Sequence, residues 1–193
     1  MMRIITGRAR GTKLYTLEGE MTRPTAERTK EAVFSMLQFQ IRDANVLDLF
    51  AGSGQLGLEA ASRGAAHVVL CDRARDAVEI VRRNVQKTGL GDLCEVFCSD
   101  YAQLLHTMRG RAFDIVFLDP PYALGAVPVA LKSLVDLHLL ASDALIVCET
   151  AEAGDVFGND EQLKSAFEIQ KQARYGAAHV TVLRAIEKGV AEV

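Results

Sequence analysis

The sequence predicts an α/β domain: a doubly wound, mostly parallel sheet of seven strands, with helices on both faces and one antiparallel strand. A small N-terminal β-hairpin extends it. Three observations lead there. Short β-branched runs alternate with amphipathic helical stretches, the pattern of βαβ units whose sheet is covered on both sides. Hydrophobic residues make up 49% of the 193, enough for one domain to bury a substantial core. The last two extended runs are joined by "YGAA", too short for a crossover helix, so they form a hairpin and reverse one strand.

Taken in order, "RIITG" and "TKLYTL" read as the hairpin, parted by Arg/Gly-rich residues. "RPTAERTKEAVFSMLQ" reads as a helix opened by Pro24 and Thr25, with Ala32, Val33, Met36 and Leu37 on its apolar face. The sheet then begins: strand "NVLDLF", helix "GQLGLEAASRG", strand "HVVLCD", helix "RDAVEIVRRNVQKTG", strand "CEVFCSD", helix "AQLLHTMRG" and strand "FDIVFLD". A helix near 126–138, strand "ALIVCE", a short helix around 161–167 and the runs "FEIQKQARY" and "HVTVLRAI" complete it. Gly64, Gly89 and Gly110 stand where helices stop.

Composition narrows the function classes. No apolar run approaches the ~20 residues of a membrane span, and "MMRIITGRARG" lacks the apolar region of a secretory signal, so a cytoplasmic protein is expected. Cys71, Cys94, Cys98 and Cys148 show no metal-ligand or disulfide spacing, and the four histidines are scattered; no metal is expected. No stripe of exposed apolar residues announces an interface, so the expectation is a monomer. Net charge is −3, but residues 1–30 carry seven Lys/Arg against three acids. The chain therefore divides into a basic arm, residues 1–22, and a body, residues 23–193. Such an arm grips phosphates locally despite a negative total.

In an open α/β sheet, ligands bind beyond the C-terminal ends of the strands. The first strand ends in "DLFAGSGQLG", where Gly52, Gly54 and Gly57 satisfy GxGxxG between a strand and a helix. Asp72, 20 residues after Gly52, has the offset of a ribose-binding acid, so a dinucleotide site is one reading. Two features favour another. Asp48, four residues ahead of Gly52, would repel a pyrophosphate but suits an ammonium. Asp100 ends the third strand where it can accept from an adenine amino group. Three acids on one rim fit a cation, and S-adenosylmethionine (AdoMet) carries a sulfonium, an ammonium, a ribose and an adenine. Against this stands the reading that each Asp only caps the helix that follows.

The fourth strand delivers "DPPY", Asp119, Pro120, Pro121 and Tyr122, to the same edge. An exocyclic amine on a base is a poor nucleophile, because its lone pair is delocalised into the ring. Methylating it requires acceptors for its protons and a methyl donor in line with the lone pair. Asp119 offers a carboxylate, Pro120 a carbonyl, and the prolines hold φ fixed while contributing no N–H. Tyr122 offers an aromatic face to a base taken out of its stack.

"DLFAGSGxLGLEAxSRGA" over residues 48–65, together with "DPPY", resembles the RsmD family of small-subunit (16S) ribosomal RNA guanine-N2 methyltransferases. "MRIITGxxxGxKL", "RPTxERxxEAxFSML" and Asn84 resemble it as well. The resemblance implies a Rossmann-like class I methyltransferase fold. It implies cofactor contacts from Asp48, Ala51, Gly52, Ser53, Gly54, Asp72, Arg73, Asp100 and Tyr101, and chemistry from Asp119 to Tyr122. Asp72 stands where the family often has Glu, and Ala74 where an Asp is frequent.

With about 150 residues in the sheet, no separate target-recognition domain fits, so specificity is expected from a preshaped partner, folded ribosomal RNA in a small subunit or assembly intermediate. Arg3, Arg8, Arg10, Lys13 and Arg23 are the phosphate-binding candidates; Arg23 and Thr25 are candidates for the cofactor pocket as well. Two alternatives stay open: methylation of adenine-N6 or a protein glutamine, and an NAD(P)-binding oxidoreductase built on the glycine fingerprint.

Overall fold

A computed structural model describes residues 2–17, 24–121, 125–151, 156–176 and 178–186, with the backbone alone for 24–27. The strands are β1 (Asn45–Asp48), β2 (His67–Asp72), β3 (Cys94–Cys98), β4 (Phe113–Leu118), β5 (Leu140–Thr150), β6 (Phe167–Tyr175) and β7 (Ala178–Ala185). They form one sheet in the order β3-β2-β1-β4-β5-β7-β6. All pairs are parallel except β5–β7 and β6–β7, so β7 is the reversed strand that the short "YGAA" connection requires.

The helices are α1 (Pro24–Met36), α2 (Gln55–Ser62), α3 (Arg75–Thr88), α4 (Tyr101–Thr107), α5 (Ala126–Asp136) and α6 (Glu161–Lys164). Strand side chains alternate between two buried faces. Val46, Val68, Leu70, Ile115 and Phe117 pack under α1, α2 and α3. Leu47, Val69, Cys71, Val116 and Leu118 pack under α4, α5 and α6. Because both faces are covered there, β1, β2 and β4 are apolar runs whose C-terminal ends deliver carboxylates.

Several boundaries differ from the sequence reading. β5 begins at Leu140, four residues earlier, because Asp143 takes positive φ and the register with β4 shifts there. α6 stops at Lys164, since Phe167 already pairs with Ala185 in the β6–β7 ladder. α1 buries Lys30, Val33, Phe34 and Leu37, the i, i+3, i+4, i+7 face of a helix. Lys30, one of the seven cations of residues 1–30, is therefore part of the core and not of a phosphate-facing surface. Its ammonium donates to the Arg3 carbonyl at 2.7 Å and lies 3.5 Å from Glu59.

The hairpin is reduced to one antiparallel bridge, Arg3 to Lys13, flanked by Ile4 N donating to Thr12 O and Leu14 N to Met2 O. Beside the tip's own turn bonds, four of its backbone donors go to side chains of the body instead of a longer ladder. Ile5 and Thr6 amides donate to the Glu59 carboxylate, Ala9 N to Ser62 Oγ and Tyr15 N to Asn84 Oδ1. Met2, Ile4, Ala9 and Leu14 share the core with α1 and α2, so residues 2–17 are packed onto the domain. The expected boundary after residue 22 lies outside the described residues.

Candidate active site

Beyond the C-terminal ends of β1 to β4 lies a cleft of ≈ 520 Å³. Asp48, Ala51, Gly52, Ser53, Asp72, Arg73, Asp100, Tyr101, Asp119, Pro120 and Pro121 line it, from four separate strand ends. Of the remaining expected residues, Gly54 sits one step behind as the N-cap of α2, with φ of 80°. Tyr122 lies outside the described residues, and so does the side chain of Thr25. Among the described residues no group of three or more His, Cys, Asp or Glu is placed to hold a metal, and no helix is long and apolar enough to cross a membrane.

The three rim acids are held in three different ways. Asp48 is 1% exposed; its Oδ2 accepts from the Gly57 amide at 3.0 Å, and its Oδ1 has no hydrogen-bond partner among the described residues. Burial pushes this carboxyl up from 3.8 to about 7, opposed by the Gly57 amide; the charge of Asp72 adds to the rise, and the Phe50 amide opposes it. Asp72 ties the loop to its own strand, accepting from Gly52 N and from Ala74 N, both at 2.9 Å. Asp100 caps α4, its Oδ1 accepting from Ala102 and Gln103 amides. The capping interpretation thus describes Asp100, whereas Asp48 keeps a buried oxygen without a hydrogen-bond partner among the described residues. Each of the other two carboxylates retains acceptor capacity beyond its amides.

Local sequence explains the loop. A Cβ at Gly57 would meet Leu70 Cδ2 at 2.8 Å, so the glycine lets α2 lie directly on β2 and point its amide at Asp48. Ser53 is fixed from outside the motif: Asn84, fully buried in α3, donates to the Ser53 carbonyl at 2.9 Å and pairs with both backbone groups of Tyr15. Ser53 Oγ also reaches Met2 Sδ at 3.1 Å. The glycine loop, α3 and the hairpin are therefore one mechanical unit.

Across the cleft, β4 ends at Leu118 and Asp119 is the first residue out of the strand. Since Asp48 pairs with Phe117, the register carries Asp119 alongside Phe50, one strand from the glycine loop. Asp119 is half-buried, Pro120 buried and Pro121 exposed. Phe50 meets Tyr101 with ring centroids 5.1 Å apart, giving the cleft an aromatic wall, and burial followed by the charge of Asp100 raises the Tyr101 hydroxyl pKa. The sequence reading missed Phe50, Ser99 and Leu17 as lining residues. Phe50 and Ser99 adjoin the strand ends and follow from that position, but nothing in the sequence brings Leu17 of the hairpin to the cleft.

The basic candidates spread apart. Arg3, Arg8, Arg10 and Lys13 are all exposed on the hairpin. The Arg8 amide donates to Ser62 O at the end of α2, and its guanidinium to Gly89 O past the end of α3. Both helices start at the cleft, and α3 has 14 residues, so the hairpin tip lies about 20 Å away at 1.5 Å per residue. Arg8 is thus held at the end of the domain remote from the cleft. Arg23 lies outside the described residues.

The family profile described as "Conserved hypothetical protein 95" matches residues 2–184. The chain belongs to this family, the RsmD family. The Ribosomal RNA small subunit methyltransferase D of Escherichia coli K12 is 38% identical over 149 residues, covering 77% of this chain and 74% of that protein. The solved structure of the putative methyltransferase yhhF from Escherichia coli superposes with a TM-score of 0.83 at 31% identity, covering 96% of this chain and 98% of the other. An O-methyltransferase from Bacillus cereus, solved in complex with SAH, shares the fold at TM-score 0.68 and 14% identity, covering 88% of this chain and 84% of its own. This RsmD-family member is a methyltransferase with the class I, Rossmann-like fold expected from its sequence.

Proposed function

We propose that this RsmD-family protein transfers a methyl group from AdoMet to the exocyclic N2 amine of a guanine in small-subunit ribosomal RNA. One observation carries the reading: a buried carboxylate with an unpaired oxygen and the Asp119–Pro120 corner face one cleft from adjacent strands. The names of the family's relatives support the RNA substrate. The donor set fits AdoMet. Asp48 Oδ1 would take its ammonium, directly or through water; Asp72, already anchoring the loop with amides, has lone pairs left for ribose hydroxyls; Asp100 and the Phe50–Tyr101 wall suit an adenine. An anionic pyrophosphate would meet these same carboxylates with repulsion. When bound, AdoMet supplies an electrophilic methyl carbon.

The protein's own part is positioning and electrostatics. Asp119 accepts one amine proton and the Pro120 carbonyl the other, which aims the nitrogen lone pair into the cleft. Neither proline offers an N–H to compete for those acceptors. Transfer of the methyl carbon would break its bond to sulfur, which keeps the electron pair as a neutral thioether, and would leave the nitrogen cationic and acidic; its proton would pass to Asp119 or to water, so no strong base is needed. The substrate is RNA within the small ribosomal subunit or an assembly intermediate, and the protein acts on it as a cytoplasmic monomer.

The test is incubation with labelled AdoMet and, separately, undermethylated small subunits, naked 16S RNA, DNA and a glutamine-bearing protein, followed by nucleoside analysis. N2-methylguanosine in small-subunit RNA is expected. Label confined to DNA, to protein or to N6-methyladenosine overturns the substrate assignment.

A further inference from the structure

We propose that the outer face of the hairpin and α3, centred on Tyr15, Arg83 and Lys87, is a second RNA-docking surface, remote from the reacting base. The inference rests on the RNA reading above and deepens it. Tyr15 is 40% exposed, and two cations converge on its ring: the Arg83 guanidinium carbon and the Lys87 ammonium each lie 4.1 Å from the centroid. These residues are one helical turn apart, where like charges repel. Among the described residues neither pairs with a carboxylate. The ring holds two mutually repelling cations together, and their positive potential is left for an outside anion.

The charge continues along both elements. Lys13 is exposed two residues before Tyr15; strand alternation puts it on the same outward side, opposite the inward-facing Met2, Ile4 and Leu14. Arg8 is held beyond Lys87 by its bond to the Gly89 carbonyl. Along α3, Arg75, Asp76 and Glu79 lie in the first turns, Glu79 one turn ahead of Arg83, and Arg82, Arg83 and Lys87 lie in the last two, which carry no acid. From Ala74 at the cleft lip, Arg83 is about 13 Å and Lys87 about 20 Å along the helix. A flipped nucleotide does not bridge that span; a folded RNA segment does. Such a shape-dependent contact supplies what a small domain without a recognition module needs: affinity from phosphates spaced in three dimensions. An acidic protein partner is the competing occupant. It is disfavoured because the stripe is joined through Asn84 to the very loop that lines the cleft.

The experiment measures binding of a 16S RNA transcript and of small ribosomal subunits as a function of salt. Arg83→Gln/Lys87→Gln is compared with Lys132→Gln/Lys164→Gln, which neutralises exposed cations of α5 and α6 on the other face. The first pair is expected to weaken RNA binding at least tenfold and to lower the slope of log K against log[salt] by about 1.4 to 1.8. AdoMet affinity and melting temperature stay at wild-type values, and methylation shows a raised KM for RNA with kcat retained. The second pair changes none of these. Tyr15→Phe keeps the affinity and Tyr15→Leu loses several-fold. Wild-type affinity and salt slope in the first pair, with wild-type protein binding RNA normally, overturns the surface and leaves the RNA reading intact. Wild-type protein with no affinity for either RNA overturns both.

Discussion

Replacing Asp48 with Asn should stabilise the protein while weakening cofactor binding. Burial and the neighbouring Asp72 lift this carboxyl from 3.8 to about 7. At about 1.4 kcal/mol per pH unit, ionising it in the folded protein costs about 4 kcal/mol. A raised acid pKa means the folded state holds a proton that the unfolded state releases. This contribution is therefore present below pH 4 and is lost as pH rises through the window from 4 to 7. Asn keeps the acceptor for the Gly57 amide and has no charge to bury. Asp48→Asn should thus melt about 10 °C higher at pH 8, at 2–4 °C per kcal/mol for a chain of this size, and resemble wild type at pH 4. Binding runs the other way. A cationic ligand draws on the ionised form, whose fraction rises from about 3% at pH 5.5 to about 50% at pH 7 for a pKa of 7. Wild-type affinity for AdoMet should rise roughly 15-fold over that interval, while an α-amino group near 8 stays charged. Calorimetric titration and thermal melts across pH 4 to 8.5 read both effects. A flat wild-type binding profile, or an Asn variant that melts no higher at pH 8, refutes the assignment.

Three further outcomes follow from the geometry. Asp119→Ala should abolish methyl transfer in a labelled-AdoMet assay and leave AdoMet affinity within a few-fold, because the proposed mechanism assigns this acid to the amine and not to the cofactor. Glu59→Ala removes a fully buried carboxylate that accepts two hairpin amides and the Arg63 Nε at 2.8 Å, and that lies 3.5 Å from the Lys30 ammonium. A loss of about 3–5 kcal/mol in urea denaturation is expected, with the hairpin becoming sensitive to limited proteolysis. Asn84→Leu leaves the Tyr15 amide, the Tyr15 carbonyl and the Ser53 carbonyl without their partner. It should cost about 3 kcal/mol and weaken AdoMet several-fold, although Asn84 does not line the cleft.

The parts of the site that could be read from sequence are those whose neighbours in space are neighbours in the chain. Asp48, Gly52 and Gly57 belong to one strand–loop–helix unit, and Asp72, Asp100 and Asp119 each end a strand. Once the strands are parallel, their ends fall on one edge. Lys30 shows a local signal of its own. Its spacing to Val33, Phe34 and Leu37 puts it on the buried face of α1, although its charge counts toward the basic first thirty residues.

Glu59, Asn84 and Leu17 gave no such signal. Apart from Arg63 one turn on, the partners of the Glu59 and Asn84 side chains are 29 to 69 residues away, and contacts over that separation have no local pattern. The sequence alone determined the order of strands and helices, the glycine loop and the carboxylates at the strand ends, because periodicity and chain direction dictate them. Only the tertiary structure decided that the hairpin locks onto α2 and α3, which carries its basic tip to the far end of the domain. It also decided which acid keeps an unpaired oxygen, because burial and hydrogen-bond satisfaction are properties of packed surfaces that meet only after folding.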